Sequence, residues 1–339
     1  MNRKKGRRIV TVEIVAVIIA VLIVTGAFIY LFTPKPSNLE QVSITDVNIV
    51  YSGSLYVAEN QGYFTKNGLN VTFQDYPSSE AGFNDLSKGK VDLVQSSEYP
   101  IVREAFGDSD IRIVATIDKA DVMDIIGRKD HGIGNISDFA GKRIAVGQGT
   151  IREFYLGRFL NLHGISLDEV TIVYLPLQES VNAIANGTID AVVMPDALWY
   201  NRVIEKLGNN AETFPVQEGQ PVFTNLVCRS DYLANHSQTV TKFLTALYEA
   251  EKYIRDHPAE AEAIVQNRLN MTSADIAWSD YRFSLSLDLP LVTAMRDEAQ
   301  WMINNNLTNQ TQIPDFANYV YTDSLKLVKP YSVTIDVGS

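Results

Sequence analysis

A turn of small residues, Gly147-Gln148-Gly149-Thr150, lies between a short apolar run and a segment with helical spacing. A helix that begins at such a turn exposes unpaired N–H donors and the positive end of its dipole. Thr150 is the expected N-cap, and Arg152 follows in the first helical turn. The turn is therefore either a plain helix cap or a place where the backbone binds a small polar group.

The turn does not match the known nucleotide-binding motifs, and the chain lacks common catalytic motifs. A Walker loop needs Gly-x4-Gly-Lys-Ser/Thr, and the dinucleotide fingerprint needs a third glycine where this chain has Glu153. No Gly-x-Ser-x-Gly element is present to hold a nucleophilic serine. The four histidines are not spaced as metal ligands, and the single cysteine, Cys228, excludes an intrachain disulfide or a cysteine cluster. We expect no catalytic residue, no metal site and no cofactor.

The turn belongs to one half of an internal repeat. The first half reads VNIVYSG (47–53), LYVAENQGYFTKNGL (55–69), VTFQDYP (71–77), AGFNDLSKG (81–89) and KVDLVQSSEYP (90–100). The second half reads KRIAVGQG (142–149), EFYLGRFLNLHGI (153–165), VTIVYLP (170–176), ESVNAIANG (179–187) and TIDAVVMPD (188–196). Each half predicts a strand, a helix, a strand, a helix and a strand, with glycine at the helix ends. The sequence therefore predicts an α/β protein with two equivalent parallel-sheet lobes.

Ligands of open α/β sheets bind beyond the carboxyl ends of the strands, which selects a set of candidate residues in both halves. The candidates are Ser52, Gly53, Ser54, Ser78, Ser79, Ser96, Ser97, Glu98, Gly147, Gln148, Gly149, Thr150, Arg152 and Asp196. Trp199, three residues after Asp196, is a further candidate. The turn Ser52-Gly53-Ser54 matches the second-half turn and favours a binding role for both. Two such lobes would form a cleft suited to a small polar ligand.

Glu98 and Asp196 occupy matched positions in the two halves. Two carboxylates that face each other in an empty cleft repel, unless one is protonated or a ligand supplies donors. The pair therefore indicates a ligand with N–H donors or positive charge. The alternative is that each carboxylate only caps the helix that follows it.

The first 32 residues differ from the rest. Five basic residues within positions 3–8 precede a largely apolar run, residues 9–32, which is long enough to cross a bilayer as a helix. We expect an uncleaved membrane anchor at 1–32, with a cleaved signal peptide as the alternative, and a linker at 33–42. Everything after it is expected outside the cytoplasm. The formal net charge of −11 argues against a nucleic-acid partner.

The C-terminal third is predicted to be helical. Residues 239–256 carry apolar residues at helical spacing, and no strand pattern follows that could form a third sheet. This tail is expected to pack on the two lobes and join them.

Several longer segments resemble a known group. GYFTKNGL (62–69), DFAGKRIAV (138–146) and DYLANHSQTVTKFL (231–244), taken together, are similar to the solute-binding proteins of ABC importers in the sulfonate/nitrate/taurine and thiamine-pyrimidine precursor class. The resemblance implies a two-lobe periplasmic-binding-protein fold of type II. It places lobe 1 at 43–130 and 225–339 and lobe 2 at 131–224. It also implies ligand contacts from Ser52–Ser54, Ser96–Pro100 and Gly149–Arg152.

The resemblance implies a receptor that captures a small extracellular solute and delivers it to an ABC permease and its ATPase. Glu98 and Pro195-Asp196 depart from the pattern of sulfonate binders, and favour a heteroaromatic amine or pyrimidine-like ligand over sulfonate or nitrate. Two alternatives remain open at this point. One is an extracellular sensor module, and the other is a pyrimidine-synthesis enzyme of the same fold, which the export segment and the cysteine count disfavour.

Overall fold

The structure is a computed structural model that describes residues 39–107 and 109–335. The predicted membrane anchor and most of the predicted linker lie outside the described residues. Within the part that is described, no helix is both long enough and apolar enough to span a membrane.

Ten strands in the described residues form two five-stranded sheets. They are β1 (Glu40–Asp46), β2 (Leu69–Asp75), β3 (Leu93–Ser97), β4 (Ile111–Ala120), β5 (Asp124–Arg128), β6 (Arg143–Val146), β7 (Thr171–Tyr174), β8 (Ala191–Met194), β9 (Ala211–Pro215) and β10 (Val222–Arg229). The first sheet has the order β2-β1-β3-β10-β4 and the second has the order β7-β6-β8-β5-β9. In each sheet three parallel strands are joined to an antiparallel one, β10 or β5. The two lobes therefore have matching topologies, each a mixed sheet.

Eleven helices in the same residues cover these sheets. They are α1 (Gly53–Asn60), α2 (Tyr63–Lys66), α3 (Ser79–Leu86), α4 (Glu98–Phe106), α5 (Ile151–Leu162), α6 (Leu177–Asn186), α7 (Ala197–Leu207), α8 (Ser230–Asp256), α9 (Pro258–Leu269), α10 (Leu289–Asn304) and α11 (Asp323–Val328). Helix α6 ends as the sequence predicts, at Gly187, whose φ of +79° suits the left-handed cap. Its inward face, Val181 and Ile184, is buried against the second sheet.

The first strand begins earlier than the sequence pattern indicates. Residues 47–53 were expected to form it, but β1 is Glu40–Asp46, in full register with Leu69–Asp75. The strand stops because Asn48 adopts a φ of +52°, which an extended chain does not accommodate. Val50–Ser52 forms a single 3-10 turn instead, and α1 starts at Gly53. The predicted linker, 33–42, therefore contains the first three residues of β1.

The chain crosses between the sheets twice, at residues 121–123 and 216–221. The crossings were expected near 130 and 225, yet β5 pairs with β8 and β9 and belongs to the second sheet. Gln217 ties the two crossings together. Its Oε1 accepts hydrogen bonds from the N–H groups of Val122 and Met123, at 2.7 and 2.8 Å, and its Nε2 donates to Ala120 O at 3.0 Å. A single buried amide thus fixes both connections between the lobes.

The tail packs on the first sheet and also contacts the second lobe. Ser286 exchanges two backbone hydrogen bonds with Thr116 and so extends the free edge of β4. Helix α8 covers the first lobe, where Phe243 and Leu247 are buried. Helix α10 contacts both α4 of the first lobe and α5 of the second.

Replacing Gln217 by alanine is expected to lower the free energy of unfolding by about 1–3 kcal/mol, because buried N–H groups of the crossings lose their acceptor. Urea denaturation followed by circular dichroism measures this change. Gln178, an exposed residue of α6, provides the control, and its alanine variant should leave stability unchanged. Equal stability of the Gln217→Ala protein and the parent would show that the amide does not hold the crossings.

Candidate functional site

A cavity of about 110 Å³ lies where the two lobes meet. The first lobe and the crossings contribute most of its wall, and the second lobe contributes the rest. The lining residues are Val47, Ile49, Tyr51, Ser79, Gln95, Ser96, Ser97, Met123, Ile151, Arg152, Pro195, Val222 and Thr224. Since a water molecule occupies roughly 30 Å³ in the liquid, this cavity suits a ligand group of only a few heavy atoms.

The first lobe contributes buried side chains that form hydrogen bonds at the cavity wall and directly behind it. Ser52 is fully buried, and its hydroxyl donates to Gln95 Oε1 at 2.6 Å, which orients the Gln95 amide. Tyr51 reaches the other lobe, where its hydroxyl donates to Pro195 O at 2.7 Å. This hydrogen bond joins the first turn of one lobe directly to the end of β8 in the other.

The second-lobe wall is formed by the start of α5. Arg152 is 7% exposed, and its Nη1 donates to Val193 O at 3.3 Å. Its guanidinium lies over Gly147, where a Cβ atom would be 2.4 Å from Nη2. Burial lowers the pKa of Arg152 to about 10, so the side chain is still charged at neutral pH. The cationic guanidinium of Arg152 therefore lies in the cavity wall, and Gly147 leaves room for it because it has no side chain.

The Gly-x-Gly turn beside Arg152 is occupied by neighbouring side chains. Gly149 has a φ of +68°, and its N–H donates to Glu153 Oε2 at 2.7 Å. Arg103 of the first lobe covers it from above, with Nη1 3.5 Å from Gly149 O. Thr150 is at the N-cap position, but its hydroxyl donates back to Gly147 O rather than capping the helix. The turn is therefore mainly a second point of contact between the lobes.

Glu98 does not face the cavity. Its side chain is fully buried beneath α4, and Oε2 accepts a hydrogen bond from the N–H of Phe223 at 3.0 Å. The neighbour of its carboxyl group is Glu298 of α10, and burial raises the pKa of Glu98 to about 8. The two carboxylates expected to oppose each other, Glu98 and Asp196, therefore have separate surroundings.

Asp196 caps α7, as the alternative interpretation of the sequence proposed. Its Oδ1 accepts a hydrogen bond from the N–H of Trp199 at 3.1 Å, while Oδ2 is buried without a partner in the described residues. Burial raises the pKa of Asp196 to about 6, and the nearby charge of Arg152 opposes that shift. Trp199 itself is half-buried in the second lobe, with the Arg202 guanidinium 4.4 Å from its ring centroid.

The structure brings four of the sequence candidates to the cavity wall: Ser79, Ser96, Ser97 and Arg152. The other candidates do not line it: Ser52, Gly53, Ser54, Ser78, Glu98, Gly147, Gln148, Gly149, Thr150, Asp196 and Trp199. Gly53 packs against Phe283 of the tail, and Ser78 caps α3. Gln148 is exposed, and the Ser54 hydroxyl is buried without a partner in the described chain.

Sequence reasoning missed several lining residues. Tyr51 and Gln95 directly precede the candidates Ser52 and Ser96, so adjacency alone would have found them. Val222 and Thr224 belong to β10, which no motif connects with the cavity. They reach it only because β10 pairs with β3 in the first sheet.

Comparison with known proteins adds a family to this geometry. The model of the family described as NMT1/THI5 like matches residues 50–261, which include the second lobe, much of the first and most lining residues. The chain belongs to this family. YtlA of Bacillus subtilis, named as a binding protein, is 26% identical over 235 residues, covering 67% of this chain and 70% of the relative. A Haemophilus influenzae protein named for thiamine biosynthesis is 25% identical over 236 residues, with 67% and 74% coverage.

Among solved structures, the present chain is similar to the alkanesulfonate-binding protein SsuA of Xanthomonas axonopodis pv. citri, which was solved bound to MOPS. The TM-score is 0.71 with 18% identity, covering 86% of this chain and all of the other. The likeness shows the two-lobe periplasmic-binding-protein fold, with two mixed sheets flanked by helices.

Asp196→Ala and Asp196→Asn should separate the capping role of this residue from its charge. Alanine removes the acceptor for the Trp199 N–H and should lower the free energy of unfolding by about 1 kcal/mol. Asparagine caps a helix nearly as well as aspartate and should leave stability close to that of the parent. Urea denaturation of both variants measures the difference. If the two variants are equally destabilised, the charge rather than the cap is what matters.

Proposed function

We propose that this protein is the solute-binding protein of an ABC import system and that it holds a small anionic group between its lobes. The family, the fold and the relatives support the import role. The anionic ligand is supported by one observation: of the residues that line the cavity in the described chain, only Arg152 carries a charge at neutral pH. Serine hydroxyls and the Gln95 amide complete a wall of hydrogen-bond donors.

The location of Glu98 changes the ligand class favoured by the sequence. An acidic pair in the cleft argued for an amine or a pyrimidine, but Glu98 is turned to α10, and Asp196 is held in a helix cap beside Arg152. A sulfonate or nitrate can accept hydrogen bonds from the guanidinium and the hydroxyls together, because each has three oxygens. A group of this size also agrees with the small cavity.

Capture would work by closure of the two lobes on the ligand. Ligand contact with both walls favours the closed state, and the crossings at Gln217 provide the hinge. The permease and its ATPase then receive the solute from the closed form. In this proposal the apolar segment within residues 1–32 holds the lobes at the extracytoplasmic face of the membrane. The bounds expected for lobe 1, 43–130 and 225–339, shift so that the lobe ends and resumes at the crossings, residues 121–123 and 216–221.

A binding role is favoured over catalysis by the cavity itself. Its lining residues include no histidine, cysteine or acid that could act as a nucleophile or a general base. A sensor module would use the same cavity, and differs only in the partner that reads the closed form. Co-purification with a permease rather than a signalling protein separates these two roles.

Titration calorimetry of the full-length protein against methanesulfonate, taurine, nitrate, a pyrimidine and a simple amine tests the ligand class. We expect binding of an anion, and a loss of about 10- to 100-fold in affinity for Arg152→Gln, which keeps a donor for Val193 O but removes the charge. The matched control is Arg255→Gln on the exposed face of α8. Binding of only the neutral or cationic compounds, or an unchanged affinity in Arg152→Gln, would contradict the proposal.

Anion affinity should also depend on pH through Asp196. Its raised pKa of about 6 means that Asp196 is neutral at about pH 5 and charged at about pH 7, where it offsets the charge of Arg152. Affinity is therefore expected to fall as the pH rises through this range. Asp196→Asn keeps the cap and should show a clearly smaller fall in affinity over this range than the parent. Calorimetry at both pH values, with parent and variant side by side, gives the comparison.

A further inference from the structure

Helix α10 of the C-terminal tail contacts the second lobe through an aromatic side chain. The ring of Trp301 rests on Gly157 of α5, where a Cβ atom would be 2.2 Å from Trp301 Cζ2. Phe154 meets the same ring edge-on, with centroids 5.6 Å apart, and Tyr99 of the first lobe lies 6.0 Å away. Trp301 is therefore packed in the seam between the lobes, 7% exposed.

Gly157 is unusual in its position, and this contact explains it. A glycine inside a helix weakens that helix relative to alanine, so a packing reason is expected for it. Gly157 is itself buried and lies in the middle of α5. Only a residue without a side chain leaves space for the Trp301 ring.

The same helix is joined to the first lobe by a buried pair of acids. Glu298 of α10 and Glu98 of α4 are both 0% exposed. The N–H of Phe223 satisfies Glu98 Oε2, while Glu98 Oε1 and both oxygens of Glu298 have no N–H or hydroxyl donor in the described residues. Two adjacent buried carboxyl groups avoid repulsion when a proton on one of them is shared with the other.

The surroundings of this pair contain no compensating positive charge. Phenol groups on three elements feel the charge of the pair, which adds to burial in raising the pKa values of Tyr51 before α1, Tyr99 of α4 and Tyr155 of α5. Asp297 is the neighbouring acid on α10. No lysine or arginine of the described chain acts on either carboxyl. Burial raises the pKa of Glu98 to about 8 and the pKa of Glu298 well above its usual range.

We propose that α10 is a closure latch: Trp301 holds the second lobe, the Glu98–Glu298 pair holds the first, and loss of the shared proton releases it. The two glutamates and Trp301 are positioning residues, since none of them lines the ligand cavity. The inference rests on the proposed binding function, because a latch matters only if the lobes open and close. It gives the C-terminal tail a role in setting how tightly the protein holds its solute.

The direction of the pH effect follows from the protonation of the pair. Opening that admits water lets both acids return to ordinary pKa values, so the open form binds fewer protons above about pH 4.5. The closed population therefore declines as the pH rises from there, and it still declines above about pH 8, because the closed form keeps a proton on Glu298 after Glu98 has ionised. Alkaline conditions favour the open form.

Electron spin distance measurements on the full-length protein test the latch without any ligand. Spin labels at Asn60→Cys in α1 and Glu179→Cys in α6, in a Cys228→Ser background, report the distance between the lobes. At about pH 5.5 we expect mainly the short distance, and at about pH 9 a larger population at a longer one. A distance distribution that is the same at both pH values would overturn the proposal.

Two variants separate the parts of the latch. Glu298→Gln cannot ionise but can still donate to Glu98, so only one group of the pair titrates on opening. The logarithm of the ratio of long to short distances should then rise only about half as steeply with pH as in the parent. Gly157→Ala strengthens α5 as a helix but displaces Trp301, so the longer distance should be populated at every pH. An unchanged pH response in Glu298→Gln, or closed lobes in Gly157→Ala, would refute the assignment. Far-UV circular dichroism excludes unfolding as the cause.

The spin-label distances test the latch and the calorimetry tests the solute class, so either proposal can be wrong while the other is right. If no compound binds but the distances respond to pH as described, the latch stands and the proposed solute class is wrong. If an anion binds while the distances ignore pH and both variants, the solute proposal stands without the latch.

Discussion

The structure depends on burying polar and charged groups where two lobes meet. A charged guanidinium placed out of water is costly unless other groups replace its hydration. Arg152 has one weak hydrogen bond from Nη1, a glycine beneath it and a carboxylate, Asp196, nearby but not paired with it. This arrangement leaves part of the guanidinium available to an incoming anion, which would supply the missing interactions.

Two hydrogen bonds between the lobes are of the same kind. Tyr51 donates to Pro195 O on one side, and Arg103 covers Gly149 on another. Each contact joins a side chain of the first lobe to a backbone oxygen of the second. Backbone oxygens are fixed by the sheet and helix that carry them, so these hydrogen bonds help define one geometry of the closed lobes.

Polar groups buried at the seam also explain why distant parts of the chain contribute to it. Gln217 of the second crossing satisfies three backbone groups at the first, and Glu98 is joined to the tail through Glu298. Each of these groups needs a partner, because an unsatisfied buried donor or acceptor costs about 1–3 kcal/mol. The seam therefore constrains residues that lie far from one another along the chain.

Much of the architecture follows from the sequence alone, since local patterns encode it. Apolar periodicity and the glycines after α5 and α6 predict the elements of the second half, and the repeat predicts two lobes of like topology. The start of β1 was missed, because a single left-handed residue, Asn48, outweighed the strand-like composition around it. The direction in which Glu98 points was also inaccessible, because it depends on a helix two hundred residues later. The tertiary structure alone determines which polar groups share the cavity and which face away from it, since burial and hydrogen-bond partners arise from contacts between segments that no local pattern relates.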